Sequence, residues 1–213
     1  MSDEKQDFDI IPQYDSIDQI ERDLGFFPAK EQSCKTLTTE QVKHYNENGY
    51  VSNLEIFSKR EADDLREYFD ALLEEAIEAG GDSYSISTAH FKHAKVYDLL
   101  KHSTIVNYVK DILGENVVGW GSHFFCKMPH DGKAVSWHQD ASYWPLTPSK
   151  TATVWLAIDD ADTENACMRF IPKSHLHGHI EWRESHADEN NVLNQTVDNA
   201  LDFGAPPVNN ELK

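Results

Sequence analysis

Cysteine is scarce in this 213-residue chain, and what is present does not pair. The three residues, Cys34, Cys126 and Cys167, are odd in number and form no Cys-x-x-Cys motif. That argues against a disulfide framework and makes a reducing, cytoplasmic compartment the expected one. Basic charge is also short, with 19 Lys and Arg against 37 Asp and Glu for a formal net charge of −18. Non-specific binding to nucleic acid or to an anionic membrane needs a basic surface, so neither partner is expected. No run approaches the roughly 20 apolar residues of a membrane span. The opening MSDEKQDFDI has neither the basic nor the apolar region of a secretory leader.

Apolar residues make up 39% of the chain and aromatics 11%, enough for a sizeable single core. Residues 1–37 read as an acidic lead-in with scattered apolar anchors, Phe8, Ile10, Ile11, Ile17, Ile20, Leu24, Phe26 and Phe27. Thr38-Thr-Glu-Gln41 has capping-box spacing and predicts a short helix to Gly49, with Tyr50-Val51 a short strand. Ser58-Lys-Arg-Glu61 repeats that spacing ahead of Ala62, Leu65, Phe69, Leu72, Leu73, Ala76 and Ile77 at helical intervals, stopped by Gly80-Gly81. Residues 94–101 read as a helical turn or two, and Ser103 as the cap of a helix over 104–113.

From Val117 the composition turns β-branched and aromatic. Strands are predicted over 117–127, 135–138, 151–158 and 167–171, with Asp159–Asn165 a polar turn. The tail from Asp202 reads as a linker that reaches no further strand. Helices first and strands after imply an α+β fold with an antiparallel β core.

Trp137-His138-Gln139-Asp140 carries the chemistry. Residues i and i+2 of a strand face the same side, so His138 and Asp140 can aim at one metal ion. One histidine and one carboxylate are two thirds of the facial triad that holds non-haem Fe(II). The bland alternative is a strand-end histidine held by its neighbour, with no metal. The aromatic and proline-rich loop that follows (Tyr143, Trp144, Pro145, Pro148) favours the metal, because an oxygenase pocket must exclude water.

The segment WHQDASYWPLTPSKTATVWLAIDDADTENACMRFIPKSH (137–175) resembles the phytanoyl-CoA dioxygenase family of Fe(II)/2-oxoglutarate oxygenases. The matching elements are His-Gln-Asp, the aromatic-Pro loop, the Trp155 strand ending at Asp159-Asp160, the Asn165 turn and Ile-Pro-Lys-Ser-His. Upstream, HYNENGYV (44–51), the Ser103–Gly114 helix and the Ser122–Pro129 strand are similar to it as well. The resemblance implies a double-stranded β-helix, a cupin-like jelly roll of eight strands behind N-terminal helices, over a domain at 38–213. It implies that His138 and Asp140 are iron ligands and that Gln139, Trp155 and His123 line the 2-oxoglutarate pocket. The structural alternatives are a core aromatic for Trp155 and a strand residue satisfied by a neighbour for His123. Tyr143 and Trp144 fall on the substrate side, or only pack. The implied reaction takes a small organic substrate and O2. Related halogenases carry a small residue in place of the carboxylate, so Asp140 points to hydroxylation.

The family's distal histidine and its 2-oxoglutarate-binding arginine lie on strands after the position of Lys213. The resemblance therefore implies a domain incomplete at its C-terminus. Two further readings compete: a truncated or degenerate relative that binds a ligand or partner without turnover, and a cupin-type metal hydrolase pairing His138 with the alternating His175, His177 and His179. The second requires those side chains to converge.

Overall fold

The computed structural model describes residues 20–198 and 202–213. The expected anchors Phe8, Ile10, Ile11 and Ile17 lie outside the described residues.

Among the described residues four α-helices precede the strands: α1 (Thr39–Asn48), α2 (Lys59–Glu78), α3 (Ala94–Leu100) and α4 (Ser103–Leu113). Both capping boxes form. Thr38 accepts from the Gln41 backbone and Ser58 from that of Glu61, and each partner side chain reaches back. Each cap satisfies two backbone N–H groups that a helix start leaves orphaned, worth about 1 kcal/mol per cap. α1 stops at Gly49, whose φ of +86° suits a residue without a Cβ, and its N–H returns to the Tyr45 carbonyl at 2.8 Å. Ser103 proves to be the first residue of α4 rather than its cap. His102 holds the cap position without a side-chain bond.

These helices supply both clusters of buried apolar residues. Phe69 and Leu72 of α2 meet Ile86, Ala89 and Val96, with Phe124, Cys126 and Ile158 packed against them. Val42 of α1 and Ile112 of α4 meet Ala29 and Leu37. Asp111, on the buried side of α4, accepts from the backbone N–H groups of Lys35, Thr36 and Leu37 at 2.9, 2.7 and 2.7 Å. The three cysteines are free.

The strand half departs from expectation. Among the described residues the ladders are two two-stranded antiparallel sheets. β1 (Arg169–Phe170) pairs with β4 (Val208–Asn209), and β2 (Arg183–Glu184) pairs with β3 (Gln195–Thr196). Residues 117–127 and 151–158 have strand composition but no ladder. The first has only the isolated bridge Ser87–His123. Tyr50-Val51 is irregular too. Composition makes a segment fit a pleated surface, but a strand exists only where a neighbour takes its backbone groups. An eight-stranded roll is thus not formed by the described residues. The tail is corrected the other way: β4 follows Pro206-Pro207, and Leu212 bridges Ala161. No helix among the described residues is long and apolar enough to cross a membrane.

Candidate metal centre

The segment leading into His138 is bonded to residues 190–197. Ala134 donates to Asn190 O at 3.0 Å and accepts from Val192 N at 2.8 Å, and Val197 N donates to Trp137 O at 2.8 Å. The backbone then bends. Gln139 is extended, and Asp140–Tyr143 form a 3-10 turn in which Ser142 N reaches the Gln139 carbonyl at 3.2 Å. His138 and Asp140 therefore meet across the start of a turn, not through the two-residue repeat of a strand.

His138 Nε2 lies 3.3 Å from Asp140 Oδ1. Two ligands about 2.1 Å from one first-row metal ion and at a right angle lie about 3 Å apart, so the pair suits adjacent coordination positions. The supporting atoms agree. His138 Nδ1 is 2.8 Å from the Ser136 carbonyl oxygen, which can only accept. Nδ1 therefore carries a proton and Nε2 is the nitrogen that faces Asp140, where the protonated ring pairs with the carboxylate when no cation lies between them. Thr153 donates its hydroxyl to Asp140 Oδ2 at 2.5 Å, so the second carboxylate oxygen is already engaged.

The two groups also tune each other. Burial works to lower the His138 pKa, but Asp140 and the Ser136 carbonyl outweigh it, and the net shift is upward. Burial works to raise that of Asp140, but His138 and Thr153 outweigh it, and the net shift is downward. Their side chains keep 27% and 37% of their exposure, so the pair is open to solvent on one side.

Each of the other expected site residues has a setting of its own. Gln139 is committed to main chain: its Nε2 donates to Gly178 O at 2.9 Å and its Oε1 accepts from Ile180 N at 2.8 Å. Tyr143 follows Asp140 in the same turn. Burial and the Asp140 charge push its hydroxyl up to about 12, with a bond to the Gln195 backbone opposing. Trp144 is half-buried, and its carbonyl is held by Arg22. Trp155 is half-buried two residues beyond Thr153. The His123 ring lies edge-on to Phe125 at 4.7 Å.

The alternating histidines diverge. His175 Nε2 meets Asn46 O at 3.0 Å, His177 packs on Phe203 at 5.0 Å, and His179 Nε2 lies 3.3 Å from Ser142 Oγ. That removes the convergence a hydrolase site built on them requires. Among the described residues no group of three His, Cys, Asp or Glu side chains could hold a metal ion. Sequence reasoning missed Ser136, Thr153 and Arg22. Ser136, two residues before His138, had a local signal; the other two act across folds of the chain that no spacing reveals.

A His-x-Asp pair with one carboxylate oxygen beside the imidazole nitrogen supplies two of the three donors that a mononuclear metal site of the facial-triad kind would need. The family model for phytanoyl-CoA dioxygenase matches residues 45–208, and the chain belongs to that family. Methylphosphonate hydroxylase of Gimesia maris is 25% identical over 190 residues, 81% of this chain and 68% of its own length. Bovine (Bos taurus) peroxisomal phytanoyl-CoA dioxygenase is 26% identical over 173 residues, 68% of this chain and 51% of its own length. A probable alpha-ketoglutarate-dependent hypophosphite dioxygenase of Stutzerimonas stutzeri is 25% identical over 152 residues, 64% of this chain and 53% of its own length. The chain thus spans about half the length of the latter two. No solved structure matches it.

Proposed function

We propose that this protein is an Fe(II)- and 2-oxoglutarate-dependent dioxygenase that hydroxylates a small organic substrate. The observation that carries the reading is the approach of His138 Nε2 to Asp140 Oδ1 at 3.3 Å, with the outer atom of each group already bonded. Bound iron and 2-oxoglutarate would supply the oxidising power, the co-substrate leaving as succinate and CO2. The chain's own residues do the positioning. His138 offers Nε2 because Ser136 occupies Nδ1. Asp140 offers Oδ1 because Thr153 occupies Oδ2, which favours one-oxygen ligation over a chelating carboxylate. The Tyr143–Trp144 turn, fixed to Asp140 through the main chain, forms the nearby wall on which substrate rests.

A second reading, a relative that binds its ligand without turnover, is favoured by one observation: the described residues bring together two donors, not three. One experiment separates the two. The purified protein is given Fe(II), 2-oxoglutarate and O2 with a panel including methylphosphonate, hypophosphite and phytanoyl-CoA, and succinate release and metal stoichiometry are measured. Turnover with one iron per chain is expected. His138→Ala and Asp140→Ala should each lower succinate release by more than about 100-fold, beyond the 10–100-fold that loss of an outer partner costs. Stoichiometric zinc with no succinate would defeat the oxygenase reading.

A further inference from the structure

Ser136 stands behind His138, and one side chain, that of Asn191, bonds it twice. Asn191 Oδ1 accepts from Ser136 N at 3.1 Å, and Asn191 Nδ2 donates to Ser136 Oγ at 2.8 Å. The remaining capacity of the carboxamide is spent on its own segment: Nδ2 also donates to Ser185 Oγ at 2.8 Å, and Oδ1 also accepts from Leu193 N at 3.2 Å. Ser136 Oγ in turn donates to Gln195 O at 2.5 Å. On the far side of the Ser136 carbonyl, Val197 N holds Trp137 O. The peptide that accepts from His138 Nδ1 is therefore bracketed from both ends by residues 191–197. That segment is itself stapled by Arg183, which reaches Glu189 at 2.5 Å and Asp198 at 2.6 Å.

We propose that Asn191 is a positioning residue for His138. Acting through Ser136, it fixes the carbonyl that sets the imidazole's tautomer and ring direction, and so sets how tightly the pair binds a divalent cation. The inference rests on the reading of His138 as a metal ligand. A ring free to turn about its side-chain bonds must be ordered when metal binds, and that ordering weakens affinity. With Asn191 in place the ordering is already done.

Co(II), a spectroscopic stand-in for Fe(II), tests this on the full chain by calorimetry and visible absorption. The wild type is expected to bind one equivalent, lost in His138→Ala. Asn191→Ala should raise the dissociation constant by about 10–100-fold and alter the spectrum of bound Co(II). Ser136→Ala, which keeps the carbonyl but loses the hydroxyl link, should weaken binding in the same direction. The double variant should be no weaker than the worse single one, because both changes cut one path. Affinity of either single variant within about twofold of wild type, or fully additive losses, overturns the proposal, whatever happens to thermal stability. If the wild type and His138→Ala bind Co(II) alike, the ligand reading itself has failed and this one falls with it. Should Asn191→Ala not fold, the Ser136→Ala affinity and spectrum decide alone.

Discussion

At the scale of single residues, His175 shows how a motif histidine is used when it is not a ligand. Its ring is set edge-on against Phe26 at 4.4 Å, and its Nε2 donates to the Asn46 carbonyl near the end of α1. Nδ1 is buried without a hydrogen-bond partner. Burial pushes the ring's pKa down, Asn46 pulls it up, and His177 adds to the depression; the net shift is downward. The unfolded chain, with a histidine pKa of about 6.5, then binds the proton more readily than the folded one. Stability from the neutral ring is complete above about pH 6.5 and drains away as the pH falls through the depressed value. His175→Gln should flatten the dependence of Tm on pH below 6.5; an unchanged slope would reject this account. Gly49 lies against the same ring. A Cβ there would sit 2.7 Å from His175 Nδ1, on a backbone with φ of +86°. Gly49→Ala should therefore cost at least about 1 kcal/mol in denaturant unfolding.

At the scale of elements, the helical half was legible because its signals are local. Each capping box spans four residues and each apolar stripe repeats within a turn, so α1 and α2 begin and end within a residue or two of expectation. Strands are read from composition, but they are made by partners far away. Residues 151–158 have no ladder here and 117–127 have only the isolated bridge at His123, whereas β4 was overlooked because it is two residues long beside two prolines. The His-x-Asp pair was legible as a motif. What holds it was not: Asn191 lies 55 positions from Ser136, and Arg22, in the lead-in, donates to Ala141 O at 3.0 Å and Trp144 O at 2.8 Å across about 120. Arg22→Ala should speed amide hydrogen exchange at residues 141–144 while leaving α2 unaffected; equal rates in both proteins would show that the lead-in does not hold the turn. Asp111 does the same service for residues 35–37. Asp111→Ala strands three backbone N–H groups and should cost about 3 kcal/mol, more than Asp111→Asn, which keeps an acceptor oxygen.

At the scale of the whole molecule, stability and chemistry are housed apart. The buried residues of the two apolar clusters lie between Ala29 and Ile112, with Phe124, Cys126 and Ile158 packed on them and Ala161, Cys167, Ile171 and Val197 buried outside them, whereas His138 and Asp140 stand on a lattice of hydrogen bonds among residues 134–144 and 183–198. Burial of apolar surface is the larger driving force, and a net hydrogen bond adds only about 1 kcal/mol. Around the second half, Val118 keeps 88% of its exposure and Trp120 59%. The site half should therefore open at lower denaturant than the helical half. The sequence supplies the reporters, since all five tryptophans (Trp120, Trp137, Trp144, Trp155 and Trp182) follow the last α-helix. Tryptophan fluorescence should lose its native signal at a lower urea concentration than far-ultraviolet circular dichroism, which follows the helices. On the proposed reading, a divalent metal held by His138 and Asp140 would bind only the closed site and stabilise it by mass action, about 2.7 kcal/mol at a hundredfold excess over Kd. Adding Co(II) should move the fluorescence midpoint towards that of the helices and leave the dichroism midpoint in place, and His138→Ala should abolish the movement. Coincident midpoints without metal would mean that the two halves unfold as one unit, and that the hydrogen-bonded lattice is as stable as the apolar core.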